Sequence, residues 1–344
     1  ASRSDIFSKT SPLSERDSPA WQDLQCLFPV WGCTLLSIPN VFVPAARIAR
    51  VVIDEAGQCH PAHAVTALLR AEHALLIGDT NQLEPVIELD AREEARVVRR
   101  ARGLLDLEKL APYRTLSTTL LSAQALAEAA VSDVPRLRDH FRCQPEIIAI
   151  SNALCDYDLR VHTPRASLRH VAPRLRAPVM GLDVRGTQLP FLGSWRNIEE
   201  ARAAVGFVAE LVRMGIAESQ IALLTPYRGQ LRALRDGLRQ AGIRFDDSDV
   251  ETVDPQRDLF ATEAVGVVAT GTVHRFQGGE RDIVVFSAAI SEPRSLGFLN
   301  QRRNLVNVAV SRARQHFILV GNPDVLEQGI VTRALVEGVG GRWI

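Results

Sequence analysis

Short apolar runs alternate with longer amphipathic segments along this chain. In its first part, apolar runs at 32–37, 50–54 and 73–78 are bounded by polar residues. Runs of this length and composition are typical of buried strands. The stretch at 61–71, between the last two runs, repeats its apolar positions with helical spacing and predicts a helix.

A second series of the same kind begins near residue 140. It predicts helices at 145–156 and 198–215, and strands at 221–225, 265–271, 281–289 and 316–322. Strands that alternate with helices form parallel sheets with helices on both faces. We therefore predict an α/β protein with a flexible segment at 1–20, a first domain with connecting helices at 21–135, and a second domain at 136–344.

The amino-acid composition and charge limit which classes of protein are possible. The chain is 46% apolar and 23% charged, with a formal net charge of zero, so a wholly basic nucleic-acid binder is excluded while a local basic face is not. The positive charge is almost all arginine, with lysine only at Lys9 and Lys109, which favours a GC-rich, bacterial-type genome. Scattered cysteines without a C-x-x-C pair predict reduced thiols in a cytoplasmic protein. No apolar run is long enough to cross a bilayer, so we predict no membrane association.

Three potential metal ligands lie close together in the sequence, at Cys59, His60 and His63. A structural zinc site needs four ligands, and a fourth is not apparent nearby. We therefore favour ordinary structural roles for these side chains.

An acidic pair follows the second predicted strand, at Asp54 and Glu55. In open parallel sheets ligands bind at the carboxyl ends of the strands. An aspartate there can hold Mg²⁺, often through water, and a neighbouring glutamate can orient or deprotonate an attacking water. The alternative is a strand-end turn with two solvated acids.

Further polar groups extend this hypothesis. Gln82 follows the end of the third predicted strand, and a glutamine side chain can contact a γ-phosphate and a water together. Arg142 precedes a predicted helix, and Arg312 and Arg314 precede a predicted strand. Arginines brought to a γ-phosphate stabilise the charge of the transferring group, although a single arginine is more often a solvated surface residue.

Six segments carry a family resemblance. In order along the chain they are VVIDEAGQ (51–58), GDTNQLEPV (78–86), HFRCQPEI (140–147), LLTPYRGQ (223–230), GTVHRFQGGERDIVVFS (271–287) and NVAVSRAR (307–314). The chain thereby resembles superfamily 1 helicases over roughly residues 30–322, in particular the group of the nonsense-mediated-decay helicase and its DNA-replication and splicing relatives. The segments correspond to that family's motifs II and III, its arginine-bearing linker motif, and motifs IV, V and VI. The resemblance implies two RecA-like domains of the P-loop NTPase fold.

The resemblance also implies catalytic roles. Asp54 would bind Mg²⁺ and Glu55 would activate the hydrolytic water. Gln82 would sense the γ-phosphate of ATP. Arg142 and Arg312 would be the arginine fingers.

The resemblance to this family also implies contacts to the nucleotide. Phe141, where the family often has tyrosine, would stack on adenine, and Glu280 would contact the ribose. Gln277 and Gly278 would lie close to the phosphates. The alternatives are a plain core position for Phe141 and ordinary loop polar groups at Gln277 and Glu280.

The implied contacts to a nucleic-acid strand are Thr34 and Ser37 in the first domain and Thr225, Thr272 and His274 in the second. Hydroxyl and imidazole groups suit this role because backbone phosphates need donors without base selectivity. Ser37 and Thr225 could instead cap the turns that follow them, and His274 could be an ordinary histidine.

The chain departs from the family in one respect. The phosphate-binding loop G-x-x-x-x-G-K-[ST] is absent, and only about fifty residues precede Asp54. We expect the first domain to be incomplete and the chain to be the C-terminal part of an ATP- and Mg²⁺-dependent helicase that moves 5′ to 3′ on single-stranded DNA or RNA, inactive on its own. The alternative is an ATPase-dead protein that serves as a nucleic-acid-binding or scaffold module. The interpretation as part of an active helicase is favoured because the downstream catalytic residues are intact.

Overall fold

A computed structural model describes most of the chain: residues 23, 26–42, 46–85, 91–101, 122–165, 173–247, 266–274, 276 and 279–344. The predicted flexible segment at 1–20, and Gln277 and Gly278, lie outside the described residues. The chain divides into two compact units. Unit 1 comprises residues 1–80, 84–134 and 251–261, and unit 2 comprises residues 81–83, 135–250 and 262–344.

Unit 1 is built around two parallel strands. Its elements are α1 (Ile38–Val41), β1 (Ile48–Ile53), α2 (Pro61–Leu68), β2 (Ala71–Leu76), α3 (Ala91–Ala101) and α4 (Ala123–Ala130). The strands pair from Ile48 with Ala71 to Ile53 with Leu76. This β–α–β arrangement confirms the predicted strands and the predicted helix between them.

Only one face of this small sheet is buried within the described part of unit 1. Ile53 is 3% exposed and packs with Phe42 and alanines of α2. Side chains alternate across a strand, so Val52 and its register partner Leu75 point to the other face. They are 61% and 55% exposed. The prediction that both strands are fully buried is therefore wrong for the described residues.

The predicted strand at 32–37 is also wrong. Residues Leu35–Ser37 form a 3₁₀ turn that leads directly into α1. Pro39 lies in the first turn of α1, where its fixed φ favours a helix start and its missing N–H costs nothing. The apolar run alone could not distinguish a short strand from a short helix.

The described strands of unit 2 are β3 (Asp139–His140), β4 (Arg160–Val161), β5 (Val179–Asp183), β6 (Gln188–Phe191), β7 (Ser194–Asn197), β8 (Ile221–Thr225), β9 (Ala269–Thr272), β10 (Arg281–Ser287) and β11 (Ala313–Gly321). Five of them form a parallel sheet in the order β5-β11-β10-β8-β9. The described helices of unit 2 are α5 (Pro145–Cys155), α6 (Ile198–Arg213), α7 (Arg228–Gln240), α8 (Gly297–Asn300), α9 (Arg303–Ser311), α10 (Pro323–Leu326) and α11 (Ile330–Val339).

Helices cover both faces of this sheet. Along β10, Val284 and Phe286 belong to an apolar cluster with α5, α9 and α11, whereas Ile283 and Val285 belong to a second cluster with α6 and α7. All four side chains are fully buried. This confirms the predicted parallel sheet between two helical layers. No helix in the described ranges is long and apolar enough to cross a membrane.

Two small pairings were not predicted from the sequence. β3 and β4 form a two-residue parallel pair, and β6 and β7 form an antiparallel hairpin. The hairpin turns at Leu192 and Gly193, which have φ of 47° and 71°. Positive φ at both central positions suits the twist of a tight hairpin.

Candidate nucleotide site and strand contacts

Two carboxylates mark the carboxyl end of β1. Asp54 Oδ1 accepts a hydrogen bond from the backbone N–H of Glu55 at 3.0 Å, and Glu55 Oε2 accepts one from Gln58 Nε2 at 2.9 Å. Glu55 has a left-handed backbone conformation, with φ of 53°, which is uncommon outside glycine. Both acids are exposed, so this turn presents two carboxylates to solvent at the edge of the sheet.

Two glycines hold this turn against the loop after β2. A Cβ added to Gly57 would lie 2.4 Å from the carbonyl oxygen of Asp79, and one added to Gly78 would lie 2.5 Å from the backbone nitrogen of Gly57. The N–H of Ala56 donates to the carbonyl oxygen of Ile77 at 2.8 Å. The two backbones approach so closely that only glycine fits at both positions.

Gln82 belongs to unit 2. Its neighbour Asn81 accepts hydrogen bonds from Arg303 through its side chain and from Asn307 through its backbone oxygen, both at 3.1 Å. Arg303 and Asn307 lie on α9, which ends at Ser311, next to Arg312. Gln82 itself is half-buried.

A cavity of about 670 Å³ in unit 2 brings together several predicted nucleotide-site residues. Phe141 lies on its wall and is 73% exposed, so the alternative of a plain core position is wrong. Its ring stacks on His162, with centroids 4.9 Å apart and planes 19° apart. His162 Nε2 lies 2.7 Å from Asp139 Oδ1. An exposed, oriented ring of this kind is suited to stacking on a nucleobase.

Glu280 lies between two arginines in the same cavity. Its Oε2 is 2.7 Å from Arg142 Nε, and its Oε1 accepts a hydrogen bond from Arg314 at 2.7 Å. Burial raises the pKa of Glu280, but the hydrogen bond from Arg314 and the charges of Arg142, Arg314 and Arg312 outweigh this, so its pKa is lowered. The carboxylate therefore stays charged and holds both guanidinium groups at the cavity wall.

The second implied arginine finger has a different environment. Arg312 is 6% exposed, and it donates to the carbonyl oxygens of Val308 and Gly279, each at 3.3 Å. Arg314 lines the cavity instead. The structure thus brings Phe141, Arg142 and Glu280 together at the surface, with Arg312 buried.

The sequence gives no signal for Asp139, which lines the cavity, or for His162, which stacks on Phe141. The β3–β4 pairing beside them is too short to leave a pattern. Arg314 was noticed but given no role. A usable signal was its position within β11, two residues after the implied arginine finger Arg312.

In unit 1, the candidate strand contacts Thr34 and Ser37 are paired with each other. Their hydroxyl oxygens are 2.8 Å apart across the 3₁₀ turn, and both residues are half-buried. Ser37 precedes α1 without a side-chain capping hydrogen bond, so the capping alternative is not supported. Their role towards a strand stays a prediction.

In unit 2, the three candidates differ in exposure. Thr225 is fully buried and its Oγ1 accepts the N–H of Tyr227 at 3.4 Å. This hydrogen bond supports the alternative role of Thr225 in the turn, and its contact with a strand stays a prediction. Thr272 is half-buried at the end of β9, and His274 is exposed just beyond it.

Among the three clustered potential ligands Cys59, His60 and His63, the His60 side chain has a structural role. His60 Nδ1 accepts the N–H of Ala62 and caps α2. Among the described residues, no group of three or more His, Cys, Asp or Glu side chains could hold a metal ion. All five cysteines are free thiols, as predicted.

Several curated proteins are similar to the chain. Probable RNA helicase armi of Drosophila melanogaster is 24% identical over 335 residues, covering 88% of this chain and 26% of that protein. A Drosophila homologue of regulator of nonsense transcripts 1 is 27% identical over 299 residues, covering 86% and 22%. Helicase sen1 of Schizosaccharomyces pombe is 28% identical over 297 residues, covering 85% and 16%. The chain thus spans about a quarter or less of the length of these relatives.

Two family models, each described as an AAA domain, match residues 30–88 and 116–324. The second alone covers more than half of the chain. The chain belongs to the superfamily 1 helicases. The helicase chain also matches a solved C-terminal domain of a possible DNA helicase from Lactobacillus plantarum, at 14% identity and a TM-score of 0.35, over 59% of this chain and 96% of that one.

Family membership confirms the resemblance predicted from the six motifs. The parallel sheet of unit 2, with helices on both faces, fits the RecA-like fold of superfamily 1 helicases. The roles of the individual site residues of this helicase remain predictions.

Proposed function

We propose that the chain supplies part of an ATP-hydrolysing motor that moves along a single strand of DNA or RNA, from 5′ to 3′. The observation that carries this proposal is the cavity in which Glu280 holds Arg142 and Arg314 beside the exposed ring of Phe141. An aromatic plane next to paired guanidinium groups provides what a nucleoside triphosphate needs: a stacking surface for the base and charge for the phosphates.

In this cavity, Phe141 stacks on adenine and Glu280 accepts a hydrogen bond from a ribose hydroxyl. Arg142 is 47% exposed in its side chain, so it can reach a γ-phosphate without unfolding its surroundings. Arg312 becomes available only if it leaves its two carbonyl partners. We infer that Arg142 contacts the nucleotide before Arg312 does.

Unit 1 carries two acids with proposed roles of their own. Asp54 suits Mg²⁺, which typically takes one or two protein carboxylates together with phosphate oxygens and several waters. A Mg²⁺ ion held by Asp54 would supply positive charge towards the phosphates of ATP. Glu55 accepts the proton of the attacking water, and Gln82 contacts the γ-phosphate.

The strand contacts are Thr34 and Ser37 in unit 1 and Thr272 and His274 in unit 2. Short hydroxyl and imidazole groups bind backbone phosphates without reading the bases. The direction of travel is proposed by analogy with the family alone.

Strand-stimulated ATP hydrolysis tests the proposal. The hydrolysis rate is measured on this chain and on a longer protein that includes any residues encoded upstream in the same reading frame. We expect Glu55→Gln to abolish stimulated hydrolysis in the active form while strand binding persists. The control is Glu72→Gln, an exposed glutamate in β2 of the same unit, which leaves hydrolysis unchanged.

Wild-type turnover in Glu55→Gln would leave the motor in place but remove Glu55 from its mechanism. Strand binding without hydrolysis in either form of the protein would contradict the motor and favour a binding module. Absence of both activities favours a scaffold role.

A further inference from the structure

A hairpin outside the six motifs lies at the edge of a second cavity in unit 2. It is formed by β6 and β7 and is fixed at both ends. At one end, the N–H of Gln188 donates to Ser291 Oγ at 2.8 Å; at the other, the N–H of Asn197 donates to Gln230 Oε1 at 2.7 Å. Between them, the N–H of Gly229 donates to Ser194 Oγ at 3.2 Å.

The hairpin lies directly against the first turn of α7. A Cβ on Gly229 would lie 2.7 Å from the carbonyl oxygen of Trp195, so the two backbones are in contact. α7 follows the turn after β8, and this turn begins at Pro226, next to Thr225. The hairpin therefore packs directly against the start of α7, beside the β8–α7 turn.

The cavity measures about 790 Å³, within the range of small-molecule pockets. Three elements line it: the hairpin with Trp195, the β8–α7 turn with Tyr227 and Arg228, and the segment before and in α8 with Arg294 and Phe298. The walls thus combine aromatic rings with arginines.

Two of the rings are accessible. Trp195 is 41% exposed and Phe298 is 36% exposed, whereas Tyr227 is buried behind Phe298 with ring centroids 5.3 Å apart. The guanidinium of Arg302 lies 4.9 Å from the centroid of the Phe298 ring. Accessible rings on two separate elements, with guanidinium groups close by, form stacking surfaces in a positive environment.

A largely buried polar residue also belongs to the cavity wall. Gln188 is 9% exposed, and its backbone N–H is bound to Ser291 Oγ. The wall at this end of the hairpin is therefore held in place.

We propose that this cavity binds one unstacked nucleobase of a single nucleic-acid strand, with Trp195 and Phe298 as stacking surfaces and Arg228 and Arg294 towards the flanking phosphates. This inference rests on the proposed function, because it requires that the chain binds single strands. It adds a base-contacting site to the backbone contacts proposed above.

Charge favours a nucleic acid as the occupant. Arg228, Arg294 and Glu292 line the cavity, and Arg302 lies against the ring of Phe298. Glu292 is paired with Arg294, whose side chain is 83% exposed. The net local charge is positive, which complements phosphate, and stacking on aromatic rings tolerates any base.

The test compares the affinities of the full 344-residue chain for two single strands. One is a thymidine oligonucleotide, and the other is a strand of the same length with abasic sites in place of the bases. Affinities are measured by fluorescence anisotropy at fixed salt. The abasic strand keeps the phosphates, so the affinity ratio of the two strands isolates the contribution of the bases. The variants are Trp195→Ala, Trp195→Phe and Phe298→Ala.

The control is Leu192→Ala, which removes a 79% exposed apolar side chain from the turn of the same hairpin. We expect Trp195→Ala to weaken thymidine-strand binding by about 5- to 150-fold, the range for one stacked base, with little change for the abasic strand. Trp195→Phe should keep most of the affinity, which separates stacking from folding. Leu192→Ala should bind both strands like the unaltered chain.

Two outcomes overturn the inference separately from the proposed function. If the chain binds thymidine strands and Trp195→Ala and Phe298→Ala bind them equally well, the cavity holds no base. If each variant weakens both strands by the same factor, the cavity contacts only the backbone. If the unaltered chain binds neither strand, the proposed function fails, and the base site with it.

Discussion

Glu280 and Arg142 form an ion pair in which Oε2 of the acid lies 2.7 Å from Nε of the arginine. Both groups line the cavity that also contains Phe141. The same carboxylate binds Arg314 through its other oxygen. One acid thus sets the positions of two cations, and removing its charge should change how both meet a nucleotide.

We predict that Glu280→Gln weakens the binding of a fluorescent ATP analogue by about tenfold or more. It should lower the free energy of unfolding by less than about 1 kcal/mol, because partly exposed ion pairs contribute little to stability. Nucleotide titration and thermal melting measure the two effects. Glu292→Gln, which breaks another carboxylate–arginine pair, is the control. Unchanged nucleotide affinity in Glu280→Gln would remove Glu280 from the site.

The exposed ring of Phe141 gives a second prediction. Phe141→Ala should weaken ATP binding by about 5- to 150-fold, the range for loss of one base-stacking contact. Phe141→Tyr should bind ATP like the unaltered chain. Competition by pyrophosphate should be unchanged in Phe141→Ala, because pyrophosphate has no base. Leu137→Ala is a matched control, since Leu137 is also exposed, at 92%. An equal loss for ATP and pyrophosphate would mean that Phe141 shapes the phosphate contacts instead.

Much of unit 2 could be predicted from the sequence because its strands are buried on both faces. The prediction at 221–225 matches β8, and the helix predicted at 145–156 matches α5 to within one residue. Continuous apolar runs and the proline that opens α5 are strong local signals. The family motifs then placed Phe141, Arg142 and Glu280 in one site, and these residues do share one cavity.

Other features depend on tertiary structure and left no local signal. The run at 32–37 was too short to separate a strand from a helical turn. Thr225 has the residue type of a strand contact, yet the turn after β8 buries it completely. The β6–β7 hairpin contains Pro190 and has only four residues a strand, so its pattern was too weak to predict.

The contact between Gly57 and Gly78 gives a third prediction. A methyl group at either position meets backbone atoms at 2.4 to 2.5 Å, and backbone cannot rotate away as a side chain can. Gly78→Ala should lower the free energy of unfolding by about 1–3 kcal/mol, as expected for overpacking. It should also abolish strand-stimulated hydrolysis, because the turn with Asp54 and Glu55 shifts.

Gly32→Ala is the matched control for this substitution. Gly32 also lies in unit 1, and a Cβ there meets no atom within 4 Å. Denaturant unfolding and hydrolysis rates measure both effects. Wild-type stability in Gly78→Ala would show that the two backbones separate easily and that the glycines do not fix the acid turn.

A buried carboxyl group gives the last prediction. Glu200, in the first turn of α6, is fully buried, and its Oε2 accepts hydrogen bonds from Ser287 Oγ at 2.9 Å and from the N–H of Ala289 at 2.7 Å. Asn197 donates to its Oε1 at 3.3 Å. Burial raises the pKa of Glu200 to about 8, although hydrogen bonds from Ala289, Ser287 and Ile290 lower it in part.

This pKa sets the sign of a pH effect. The unfolded chain releases the Glu200 proton near pH 4.5, whereas the folded chain keeps it until about pH 8. Between these values the unfolded state binds fewer protons, so the free energy of unfolding falls as pH rises, by up to about 1.4 kcal/mol per pH unit. The contribution of the Glu200 proton to the free energy of unfolding is complete below pH 4.5 and is lost above pH 8.

We predict that Glu200→Gln removes this slope, because a glutamine does not titrate. Denaturant unfolding at intervals from pH 5 to pH 9 measures it. Glu199→Gln is the control, since Glu199 is exposed in the same helical turn and should leave the slope unchanged. Glu200→Ala should destabilise the fold by about 1–3 kcal/mol at pH 5, because it removes the acceptor of the Ala289 N–H and of the Ser287 O–H. A slope that persists in Glu200→Gln would assign the pH dependence to another group.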